Sequence, residues 1–159
     1  MLFKRLKHLE ETAKIQCIGR GFSADAFALP NGRVLKVMED SGQVDFLRIF
    51  GNSTNHFPRY YHLKQIESVQ VVVMERLVPI QERMLNYRGF VGVLSLDINK
   101  VRYDTDYSAF LGNKAKQFKA DLVRLIIETE ERQITPDITP QNIMFRDSDN
   151  SIVFLDPWA

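Results

Sequence analysis

Cysteine is nearly absent: Cys17 is the only one in 159 residues, so no intrachain disulfide can form. A metal site would have to rely on histidine and on carboxylate or amide oxygens, and His8, His56 and His62 share no metal-binding spacing. Neither sign of charge is in excess. The formal net charge is +1, which excludes a global field for nucleic acid or an anionic membrane. No apolar run approaches the ~18 residues of a membrane-spanning helix. The opening Met-Leu-Phe-Lys-Arg-Leu-Lys-His-Leu is too broken by charge to be a signal-peptide core. Internal repeats and low-complexity tracts are missing as well. These absences predict a cytoplasmic, reducing location, with no membrane and no nucleic acid among the partners.

What is present is the composition of a folded domain, 45% hydrophobic and 26% charged. That suffices for one core or two small lobes. Leu2, Leu6, Leu9 and Ala13 share one helical face, which predicts an amphipathic helix over residues 1–14. Two strand-like pieces between Ile15 and Leu29 flank Gly19 and Gly21, and Pro30-Asn31-Gly32 turns the chain into a strand over Val34 to Met38. Gln43 to Phe50 reads as a short buried helix ended by Gly51-Asn52. Tyr60 to Ile66 and Val69 to Met74 read as strands joined by Glu67-Ser68. Pro79 is placed to start a helix through Asn86. Residues 89–113, punctuated by Gly89, Gly92 and Gly112, show no clear period; their aromatic residues among acids suit ordinary packing. A long helix spans Lys114 to Arg132, and two strands, Ile143 to Phe145 and Ile152 to Leu155, enclose an Asp147-Ser-Asp-Asn150 turn.

Five features carry chemistry. Gly19-Arg-Gly21-Phe-Ser23 could let backbone N–H groups approach a phosphate, or be a simple hairpin turn. Lys36 is a lone cation in an apolar strand, fit to meet phosphate charge or to sit on the solvent face of an edge strand. Asp137 is followed five residues later by Asn142, and Asp156 closes the hairpin after them. Taken singly these three suit turns and loop closure. Taken together they suit phosphoryl transfer, which needs oxygen ligands for Mg²⁺ and a group that orients the acceptor hydroxyl.

In that order the motifs resemble the protein kinase-like fold from about Ile15 to Trp158. The resemblance implies an α+β chain: a mostly antiparallel N-terminal sheet with one inserted helix (15–77), then a truncated helical C-terminal lobe (78–159) ending just after an Asp-Phe-Gly-like position. Residues 1–159 would form one kinase-like unit. By the resemblance Gly19, Gly21 and Ser23 cover the phosphates of ATP, Lys36 pairs them, and Glu75 and Leu77 lie in the hinge that takes adenine. Asp137 is the catalytic aspartate, and Asn142 and Asp156 hold Mg²⁺.

Departures from the pattern are specific. His-Arg-Asp becomes Thr135-Pro136-Asp137, without the bracing histidine, and Asp-Phe-Gly becomes Asp156-Pro157-Trp158. Asp45 or Glu39 would have to supply the lysine's acidic partner, and Asp25 lies close to the glycine turn. The activation segment and peptide platform of larger kinases have no counterpart in these residues. The expected function is ATP- and Mg²⁺-dependent phosphoryl transfer to Ser/Thr of a protein, possession of catalysis itself being open. The alternatives are a pseudokinase acting as a nucleotide- or protein-binding inhibitor module, and a small-molecule phosphotransferase. The compact form resembles kinase-like proteins of bacteria and phages, implying a host protein as substrate or target, in bacterial or host cytoplasm, with self-association as a further expectation.

Overall fold

The computed structural model describes residues 2–12, 14–21, 24–39, 41–100 and 105–158. It divides into two units, Met1–Asn52 with Pro58–Arg76, and Ser53–Phe57 with Leu77–Ala159. The α+β class and the antiparallel amino-terminal sheet with one inserted helix are present.

The first unit contains α1 (Leu2–Glu11), β1 (Gln16–Arg20), β2 (Ala24–Ala28), β3 (Val34–Met38), α2 (Ser41–Phe50), β4 (Tyr60–Ile66) and β5 (Val69–Met74). The strands form one antiparallel sheet in the order β1-β2-β3-β5-β4. Side chains alternate across a strand, so Phe27, Val37 and Val69 share one face. There they bury with Leu6 of α1 and with Ile15. On α2, Val44, Phe46, Leu47 and Phe50 are buried, which is the apolar stripe of an amphipathic helix.

Turn chemistry sets the register. Gly32 has φ 77°, the left-handed region that glycine enters without a Cβ clash, and Asn31 Oδ1 accepts the Arg33 N–H at 3.1 Å. At the end of α2 the left-handed residue is Asn52, with φ 62°. Gly51 is needed for a different reason: a Cβ there would meet the Leu47 carbonyl oxygen at 2.5 Å and the Tyr60 ring at 2.6 Å.

The second unit contains β6 (Val78–Pro79), α3 (Tyr87–Lys100), α4 (Ser108–Leu111), α5 (Ala115–Glu131), β7 (Ile143–Arg146) and β8 (Ser151–Phe154). The strands form an antiparallel sheet in the order β6-β7-β8. Phe118 of α5 is its aromatic hub, 5.1 to 5.5 Å from the rings of His56, Phe90, Tyr107 and Phe154.

The short segment Ser53–Phe57 belongs to this unit because its polar groups are satisfied there. The Phe154 N–H donates to the His56 carbonyl at 3.0 Å, His56 Nδ1 lies 2.7 Å from the Ile152 carbonyl, and Thr54 donates to Asp121 at 2.8 Å. Arg146, 2% exposed, donates to the carbonyls of Asn55 and Phe57 at 2.5 and 2.9 Å.

Two expectations change. The helix expected from Pro79 to Asn86 is not formed: Pro79 is extended (φ −54°, ψ 135°), pairs with Met144, and only a single 3₁₀ turn follows at Ile80–Glu82. That stretch has one residue to bury, Ile80, too little to hold a longer helix. The helix lies instead at α3, which overlaps the stretch that showed no period. Phe90, Val91, Leu94 and Ile98 are its buried face, while Gly89 and Gly92, poor helix formers by about 1 kcal/mol each, interrupt the pattern. The aromatic residues among acids are packing: Tyr107 is 1% exposed and its hydroxyl donates to buried Asp97 at 2.6 Å. Tyr103 and Asp104 lie outside the described residues.

Candidate functional site

In the second unit the loop between α5 and β7 is closed on itself. Asn142 Nδ2 donates to Asp137 Oδ2 at 2.7 Å and to the Asp137 carbonyl at 3.1 Å, and its backbone N–H donates to Thr139 at 2.9 Å. A carboxylate and a carbonyl can only accept, so the nitrogen of the amide must face Asp137. Asn142 Oδ1 is thereby turned away from Asp137.

The same loop is fastened to the chain after β8. Ile143 pairs with Phe154, and the Leu155 N–H donates to the Asn142 carbonyl at 2.9 Å, extending the hairpin by one more rung. Asp156 is the next residue. The Asp137 N–H then donates to the Pro157 carbonyl at 2.7 Å, and Pro136 bridges Trp158. Asp137, Asn142 and Asp156 are therefore gathered in one loop cluster. All three are half-buried.

This donor set fits Mg²⁺ in one way only. Among the described residues no three His, Cys, Asp or Glu side chains form a metal cluster. Mg²⁺ keeps several waters and takes one or two protein oxygens together with substrate phosphates. One amide oxygen from Asn142 and one carboxylate from Asp156 match that habit.

In the first unit Lys36 stands on β3, the central strand, so it is not an edge-strand lysine. Gly19, Ala26, Lys36 and Val72 follow one another across β1, β2, β3 and β5. They share a sheet face on which the β2 neighbour of Lys36 is the small Ala26. Asp25 pairs with Val37, one residue away, and so falls on the opposite face from Lys36. Asp25 also lies opposite Arg20, an attractive cross-strand pair.

Other expected residues are placed as follows. Gly19 lies within β1, next to a β-bulge, and the Gly21 N–H donates to the Ala24 carbonyl at 2.8 Å, closing the turn. Ser23 lies outside the described residues. Glu75 exchanges backbone and side-chain hydrogen bonds with Arg59, accepting its N–H at 2.8 Å, and Leu77 follows one residue after Arg76. Asp45 is exposed on α2 and lies 3.7 Å from Arg48 of the same helix; Glu39 is exposed just beyond β3.

Residues that sequence reasoning did not assign also hold the loop. Trp158 Nε1 donates to Thr129 Oγ1 at 2.9 Å, and Ser95 of α3 donates to the Ile138 carbonyl at 3.2 Å. Pattern alone could not find Ser95, because α3 itself was hidden. A cavity of about 240 Å³ lies behind the loop, lined by Ile98, Ile126, Thr129, Ile138 and Pro157 among others. None of Asp137, Asn142 or Asp156 lines it.

No family model matches the chain, and no curated protein matches it. Among solved structures, the chain is similar to Rad53 1–466 in complex with AMP-PNP, at 12% identity and a TM-score of 0.45, with 98% of this chain and 42% of that one covered. It is likewise similar to the Mycobacterium tuberculosis PknI kinase domain, at 13% identity and a TM-score of 0.43, with 91% and 59% covered. The chain thus spans about half the length of these two structures. Neither likeness bears on chemistry.

Proposed function

We propose that the chain is an ATP- and Mg²⁺-dependent phosphotransferase that acts on a Ser or Thr hydroxyl of a protein. The observation that carries this reading is the Asn142 to Asp137 hydrogen bond of 2.7 Å inside a loop stapled to the Leu155–Trp158 segment. It supports the reading because one amide is used twice. Its nitrogen orients the carboxylate that meets the acceptor, and its oxygen is left for the metal.

Asp137 accepts the hydrogen bond of the acceptor hydroxyl and takes its proton as the new O–P bond forms. The bond from the terminal phosphorus to the bridging oxygen breaks, and ADP leaves with that electron pair. Asn142 and Asp156 would hold Mg²⁺, which would supply positive charge to the phosphate oxygens. Lys36 adds positive charge toward the phosphates. A protein substrate such as a host protein and a cytoplasmic site of action belong to the same proposal. Among the described residues no helix is long and apolar enough to cross a membrane.

A second reading, a pseudokinase that binds nucleotide or protein, draws on Thr135-Pro136-Asp137, which carries no histidine to brace the loop. Incubation with γ-labelled ATP and Mg²⁺ in the presence of a protein acceptor tests both. Phosphate transfer that falls at least about 100-fold in Asp137→Ala and Asp156→Ala is expected. Thermal protection by ATP without any transfer would install the second reading.

A further inference from the structure

The loop that carries Asp137 has no bracing histidine, yet it is held at its base through a short hydrogen-bonded chain. Trp158 is 4% exposed and Thr129 is 4% exposed. The indole N–H donates to Thr129 Oγ1 at 2.9 Å, and that hydroxyl in turn donates to the Leu125 carbonyl one turn earlier in α5, at 2.7 Å. An indole nitrogen is a donor only, and a hydroxyl has one proton to give. The chain therefore runs in one direction, with every member satisfied. Trp158 in turn bridges Pro136, and its neighbour Pro157 accepts the Asp137 N–H at 2.7 Å.

We propose that Thr129 and Trp158 act as a latch that positions Asp137, with α5 as the rigid element that sets where the carboxylate stands. Both are positioning residues; neither touches substrate. The catalytic part of this inference rests on the phosphotransferase reading, whereas the mechanical part does not. The physical case is that a buried indole N–H deprived of its acceptor is costly, so the Trp158 backbone shifts to find water or another acceptor. Pro136 and Asp137 move with it, and misplacement of a catalytic group by about 1 Å is enough to cost about 100-fold in rate. Tryptophan occurs once in the chain, so a single indole resonance reports on the latch.

Hydrogen exchange by NMR on the full chain, without nucleotide, tests the mechanical part. In Thr129→Val, which keeps the shape and removes the hydroxyl, the Trp158 indole N–H and the Asp137 amide should both exchange at least tenfold faster. Thr129→Ser should restore both to within about twofold. Slow Asp137 exchange in Thr129→Val would overturn the latch, as would failure of the serine variant to restore it. If the valine variant does not fold, Trp158→Phe removes the N–H donor together with the five-membered ring that carries it, and the Asp137 amide must again accelerate. The catalytic part is read from labelled ATP: kcat should drop at least tenfold in Thr129→Val with KM for ATP changed less than twofold, and return in Thr129→Ser. Faster exchange at Asp137 in a protein whose wild-type form transfers no phosphate would uphold the latch and refute the phosphotransferase reading. Unchanged kcat with faster exchange would overturn its role in positioning the carboxylate.

Discussion

Asn142 donates to the carboxylate of Asp137 across 2.7 Å, and the same side chain reaches the Asp137 carbonyl at 3.1 Å. Replacing the donor with an acid, Asn142→Asp, puts two carboxylates where one amide stood. Like charges at hydrogen-bond distance raise one carboxyl above its usual range. The variant should therefore be less stable than wild type near neutral pH and recover as pH falls and the pair takes up a proton. Urea midpoints at about pH 7 and about pH 5 check the sign. Phosphate transfer should fall at least about 100-fold.

Lys36 on the central strand is the charge test. Lys36→Met keeps the apolar stem and deletes the ammonium. Transfer from ATP should fall at least about 100-fold, while stability changes by less than about 1 kcal/mol. Equal rates in both proteins would remove Lys36 from the machinery.

Arg146 is the stability test. At 2% exposure it satisfies the carbonyls of Asn55 and Phe57 and lies 3.5 Å from Asp149. Arg146→Met strands buried acceptors and should cost about 3 kcal/mol in urea unfolding. Arg146→Lys should fall between the two, because a point ammonium cannot span both carbonyls as the planar fork does.

His56 gives a pH signature. Burial pushes its imidazole below the ordinary range, with Arg146 and Lys114 adding to the effect; the Ile152 carbonyl and Asp121 oppose it. The unfolded chain binds the proton near the ordinary value of ~6.5, and the folded chain resists it. Stability contributed here is complete above ~6.5 and is lost as pH falls through the lowered folded value. His56→Asn, which retains a donor toward Ile152, should show a shallower loss of stability from about pH 7 to about pH 5.

Much of the first sheet was legible because period-2 alternation and Pro-Asn-Gly or Glu-Ser turns are local signals. The helix at Tyr87–Lys100 was not, since Gly89 and Gly92 interrupt a period that only the packing of Phe90, Leu94 and Ile98 restores. The failed helix after Pro79 has the converse cause: proline suits a helix start, but pairing of Val78 and Pro79 with β7 is a long-range interaction that local sequence does not reveal.

Chain order sets the identity and spacing of Asp137, Asn142 and Asp156, because a five-residue offset and a short hairpin are local properties. Tertiary structure alone decided that the Asn142 amide faces Asp137, that Lys36 stands on a central strand, and that Thr129 and Trp158 hold the loop. Those depend on which strands pair and which helix lies behind them. Pairing and packing join residues far apart in the chain, and the energy that selects them comes from burial and from satisfying polar groups that no local window contains.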